Sequence, residues 1–194
     1  MLQRNWILKE LQKINLIHDE AEKSLRYQQI YAIIEKVDDY NNYIFNYEYE
    51  QKRQKIINRG VLFIPLVNHS GIKSNWSKIF AASVSSKEKK EIYYDSYRWH
   101  IFSFEKVLAL TGTKARQAFN KCKKEKVFIF YQHKKEAYQI DHANFLKSSD
   151  FDDDYDIYLF DAVNQWTYVH THEMQCGPYF YQIKQARSRN KNSG

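Results

Sequence analysis

The residues of this chain best equipped for chemistry lie near its C-terminus, in the run WTYVHTHE over residues 166–173. Side chains alternate faces along a strand with period two. One face then carries Trp166, Tyr168, His170 and His172, and the other carries Thr167, Val169, Thr171 and Glu173. Two imidazoles two residues apart stand ~7 Å apart along a strand, close enough to share zinc or another divalent first-row metal. A third ligand would come from His100, Asp161 or Cys176, and Glu173 would supply acid–base chemistry. The competing reading is a strand end whose histidines pack on aromatics and hydrogen-bond to backbone, and the spacing alone favours it. Cys176 beside His172 and Glu173 also suggests a thiol nucleophile, but the sequence shows no third group to orient it.

A hairpin has to position these groups. DIYLFD over residues 156–161 is rich in Ile, Tyr, Leu and Phe and reads as a strand. Residues 162–165 are short enough for its turn. The resulting register sets Asp161 against Trp166, Leu159 against Tyr168 and Ile157 against His170. A shift of one residue would flip every face. Cys176, Gly177 and Pro178 form a corner, because Gly supplies a positive φ and Pro fixes the next one. Residues 179–183 then read as a last strand.

The runs DIYLFD, WTYVHTHE and GPYF together resemble the C-terminal hallmark of an uncharacterised domain-of-unknown-function family (DUF4275-like) of Firmicutes and their phages. YRWHIFSF over residues 97–104, Phe119 and FIFYQ over residues 128–132 resemble it too. The resemblance covers about residues 76–180 and leaves the region before Gly60 unmatched. It brings no activity with it.

The chain has 194 residues, enough for one α+β domain with an appendage. Sixteen Tyr and 12 Phe against two Pro and five Gly describe an element-rich chain with a real core. Two widely separated cysteines make no disulfide framework and point to a reduced, cytoplasmic setting. The N-terminus has no apolar run like a secretory signal, and no stretch is long enough to span a bilayer. Net charge is +7, unevenly placed. Residues 61–126 hold 13 basic and 5 acidic side chains, whereas residues 127–183 hold 3 and 9. That split marks either a polyanion-binding face or two faces that attract each other within the fold. Arg116, Lys121, Lys123 and Lys124 are the natural phosphate contacts, with no nucleic-acid motif to support them. The acidic loop at residues 150–156 lacks the Gly and Glu of a calcium loop and reads as solvated.

Residues 5–57 contain no Gly or Pro. Ile7, Leu11, Ile14, Ala21 and Leu25 recur at helical spacing, as do Ile30, Ile33, Val37, Tyr40 and Ile44. Two amphipathic helices are expected, interrupted near residues 38–42. Their apolar stripe either packs on its own domain or serves dimerisation or partner docking. An edge strand at residues 61–67, helices at 76–82, from Ser85 or Ser86, at 105–110 and at 114–124, and strands at 97–104, 127–132 and 137–140 follow. No Gly-rich phosphate loop, nucleophile elbow or kinase signature appears.

The expected fold is α+β: a helical N-terminal extension (1–60), a largely antiparallel sheet with flanking short helices (61–184) and a basic tail (185–194). The expected function is a noncatalytic cytoplasmic accessory or immunity-type protein that binds another macromolecule, most readily a protein. Alternatives are a nucleic-acid binder using residues 61–126 and a metal-assisted hydrolase centred on His170, His172 and Glu173. Trp166, Tyr168 and His100 join the basic side chains as candidate binding residues. No cofactor is expected unless the histidines hold a divalent metal, no membrane is involved, and the oligomeric state stays open.

Overall fold

A computed structural model describes residues 2–173 and 175–183, and the side chains from residue 5 onward. The basic tail lies outside the described residues. The chain divides into two compact units, residues 1–53 and 54–194.

The first unit is helical. α1 (Leu2–Asn15) and α2 (Glu20–Ile57) are joined by a short turn. Asp19 caps α2, its carboxylate accepting the Glu22 amide at 2.8 Å. Tyr27 donates its hydroxyl to Asn15 at 2.6 Å and ties the two helices together. The expected interruption at residues 38–42 does not occur: the helical break falls at residues 16–19, and α2 runs unbroken for 38 residues. Asp and Asn are weak helix formers, but neither lacks the amide or the φ range a helix needs. Gly60, at φ 95°, ends the helical region.

The second unit is built on a seven-stranded sheet in the order β1-β4-β3-β5-β6-β7-β2, with every neighbouring pair antiparallel. β1 (Leu62–Pro65) is the edge strand expected from its proline. β2 (Leu110–Thr111) forms the other edge. β3 (Lys126–Tyr131), β4 (Ala137–Asp141), β5 (Ile157–Asp161), β6 (Trp166–His170) and β7 (Tyr179–Gln182) complete it. Alternation sorts the core onto two faces. Ile129, Ile157, Leu159, Trp166, Tyr168 and Phe180 meet Phe119 on one face. Phe130, Tyr158, Phe160, Val169 and Tyr179 meet Trp76, Phe80, Trp99 and Phe102 on the other. β5 lies at the centre and every one of its residues is buried, which explains its uninterrupted apolar run.

Helices cover both faces. α3 (His69–Phe80) begins well before the expected residue 76, because Asn68 caps it by accepting the Gly71 amide at 2.9 Å. A Cβ at Gly71 would collide with that Asn68 side chain, so the glycine belongs to the cap. α4 (Ser86–Glu91) starts from a reciprocal Ser85–Glu88 capping box. The expected strand at residues 97–104 is instead a turn leading into α5 (His100–Ser103). The Trp99 amide donates to the Tyr158 hydroxyl at 3.1 Å, so the segment satisfies its backbone without strand pairing. Residues 105–109 pass from a turn through a bend into irregular backbone, with none of the expected helix. α6 (Gly112–Lys121) starts two residues before the expected position and stops three short of it.

Candidate functional site

β5 and β6 pair in the anticipated register, Asp161 with Trp166, Leu159 with Tyr168 and Ile157 with His170. β6 ends at His170, however, so strict alternation does not carry through to His172. The Thr171 hydroxyl donates to the carbonyls of Glu173 and Cys176 and folds the chain back on itself. The two histidines therefore part company. His170 continues the Trp166–Tyr168 face and donates Nδ1–H to the Asp154 carbonyl at 2.7 Å. Burial lowers its pKa below the usual 6.5. His172 crosses to the opposite side, where its ring stands 5.0 Å from Tyr97 and 6.0 Å from Trp99.

Asp156 organises that second environment. It precedes β5 with φ 53°, a left-handed backbone that Asp tolerates better than most residues. Its carbonyl accepts the Gln132 amide at 2.9 Å and extends the sheet. Its carboxylate, 6% exposed as a residue, accepts Trp99 Nε1 at 2.9 Å and His172 Nδ1 at 2.9 and 3.0 Å. A buried carboxylate on Nδ1 fixes the imidazole and turns Nε2 outward. Nε2 lies 3.9 Å from Oε1 of Glu173. Around Tyr97 stand three imidazoles, those of His172, His100 at 5.4 Å and His133 at 5.3 Å. The arrangement can hold an oriented imidazole at the surface. Burial and Glu173 raise the Cys176 pKa, the reverse of what activates a thiol. The neighbouring Tyr179 is pushed up to about 12, mainly by burial.

The other anticipated ligands are not assembled here. Asp161 sits at the far end of the hairpin from His170, about 13 Å along β5 at a strand's rise, and accepts the amides of Val163 and Asn164. His100 directs Nδ1 to the Ile92 carbonyl. Among the described residues, no group of three or more His, Cys, Asp or Glu side chains is arranged to hold a metal ion.

The anticipated binding residues also redistribute. Trp166 and Tyr168 are core, with their rings 5.9 and 4.5 Å from Phe119. Lys124 is buried, its ammonium donating to the Phe119 carbonyl at 2.7 Å just beyond α6. That burial lowers its pKa. Arg116 pairs with Asp152, and Arg59 with Asp150. The acidic loop is thus a docking strip for the chain's own cations rather than simply solvated. Lys121 and Lys123 remain exposed. Asp156, Tyr97 and His133 were missed as site residues. The one signal for Asp156 was its place directly before the apolar strand.

Trp99 and His172 share one carboxylate, so two sequence segments with a common family resemblance meet at one point. The family described as Domain of unknown function (DUF4275) matches residues 50–180. The chain belongs to that family. The DUF4275 match starts earlier than the expected residue 76 and takes in the end of α2 and all of β1. It contains the whole Asp156–His172 site and leaves α1 and most of α2 outside. No curated protein and no solved structure matches the chain.

Proposed function

We propose that this protein is a noncatalytic protein-binding module whose helical unit is the docking element. The observation that carries the reading is the surface of α2. Tyr40, Tyr43, Phe45 and Tyr47 are each more than half exposed, and Ile33 is nearly so. Large rings grouped on one helix are a surface that rewards burial against a partner. α1 has 14 residues, about 21 Å of helix, against the 38 of α2. A helix of that length cannot cover α2 along its whole extent.

The Asp156 cluster fits the same reading as a fixed joint in the DUF4275 domain, since its carboxylate is spent on donors from two internal residues, Trp99 and His172. A cytoplasmic accessory or immunity-type role is the corresponding biological setting, supported by two cysteines that are both free. Among the described residues, no helix is long and apolar enough to cross a membrane.

The test is the size of the native assembly in cells that make the chain at its normal level. The wild-type chain should migrate well above its own 23.5 kDa. A Tyr40→Asp/Tyr47→Asp variant should fall to the monomer. A wild-type chain already running as a monomer contradicts the proposal.

A further inference from the structure

We propose that the exposed part of α2 pairs antiparallel with the same helix of a second copy of this chain. This rests on the reading of the helical unit as a docking element and names its partner.

Ile33, Val37, Tyr40, Ile44 and Tyr47 succeed one another at intervals of four, three, four and three residues. That is the seam spacing of a two-stranded coiled coil. Tyr40 is 64% exposed, Tyr47 55% and Ile33 46%, with Val37 and Ile44 partly buried between them. Ala32, Ile33, Lys36, Val37, Tyr40 and Asn41 line a groove along it. Fewer seam positions would make a stray apolar spot, and charged ones would break it. Here five consecutive seam positions are apolar or aromatic.

Side-chain size favours the antiparallel sense. Centred on Asn42, an antiparallel pair sets Val37 against Tyr47 of the second copy and Tyr40 against its Ile44. These central layers each join one ring to one aliphatic side chain, with Ile33 facing Gln51 at either end, and interdigitation of large with small fills space. A parallel pair in register would stack Tyr40 on Tyr40 and Tyr47 on Tyr47.

Charge points the same way. Between residues 27 and 51, Lys36 is the one cation, against Glu35, Asp38, Asp39, Glu48 and Glu50. In the antiparallel pair the flank that carries Lys36 in each copy meets Glu50 of the other, twice by symmetry. In the parallel pair that flank meets Asn41 instead, and the acid-rich segments lie side by side. Flanking charges set orientation in such helix pairs. The contact Lys36 makes in the single chain is with Asp39 at 3.1 Å, between two well-exposed groups, and such a pair is weak enough to exchange.

The test is sedimentation of the purified full-length protein from micromolar to submillimolar concentration. The chain should dimerise reversibly. Lys36→Glu should weaken the dimer several-fold, and adding Glu50→Lys to it should restore the affinity. In a Cys122→Ser/Cys176→Ser background, Val37→Cys/Tyr47→Cys should oxidise to a covalent dimer, and Val37→Cys alone should not. A monomer throughout the range overturns the inference, as does efficient cross-linking of Val37→Cys alone. A monomer whose assembly in cells still depends on Tyr40 and Tyr47 sinks the second copy but leaves the docking reading standing. A monomer with no such assembly sinks both.

Discussion

The Asp156 carboxylate holds His172 by Nδ1 at 2.9 Å while accepting Trp99 Nε1 at the same distance. One buried side chain thereby joins α5's approach, the start of β5 and the turn after β6. Asp156→Ala would leave the Trp99 and His172 donors unanswered and place alanine at positive φ. It should cost about 2–4 kcal/mol by denaturant unfolding. Asp156→Asn keeps an acceptor and tolerates the backbone, so it should cost less. Equal stability of Asp156→Ala and wild type would remove Asp156 from its central place.

His170 makes stability depend on pH in a definite direction. Burial lowers its pKa in the folded chain below 6.5. The unfolded chain therefore binds the proton first as pH falls, and stability drops from about pH 6.5 down through the lowered native value. Further acidification adds nothing from this group. His170→Gln should flatten that part of the stability profile, measured by urea unfolding at a series of pH values.

The basic segment after α6 divides into structural and exposed lysines. Lys124→Ala removes donors from the Phe119 and Asn120 carbonyls and should cost about 1–2 kcal/mol. Lys121→Ala and Lys123→Ala, both at exposed positions, should stay within about 0.5 kcal/mol of wild type. Thermal melts of the three variants compare them directly.

Across the sheet, Thr167 accepts Trp76 Nε1 at 2.8 Å and donates to the Leu159 carbonyl at 2.9 Å. Thr167→Val keeps the shape but strands the indole N–H in the core. A loss of about 1–3 kcal/mol is expected. A neutral result would show that Trp76 is held by packing alone.

The hairpin was legible because IYLFD is apolar at every position and WTYVH must match it face to face. Local rules set both. Tyr97 to Phe104 misled, because aromatic density favours strands on average while Trp99 here meets Tyr158 and Asp156 instead of a neighbouring strand. Trp166 and Tyr168 looked like binding residues because nothing in β6 alone reveals that both of its faces are covered. Asp156 was hidden in an acidic run, its partner Trp99 lying 57 residues away. The helical unit was the reverse case. Its apolar spacing was visible from the start, but that α2 runs past α1 and leaves its rings exposed emerges only from the lengths of the two helices.

The most direct test of the docking surface is site-specific photocrosslinking in cells, with a benzophenone side chain placed at Tyr43 or at Val163. Both positions are exposed, one on α2 and the other on the β5–β6 turn of the DUF4275 domain. The expected result is a discrete protein adduct from position 43, whether to a second copy or to another protein, and none from position 163. Adducts from 163 alone would contradict a docking surface on α2.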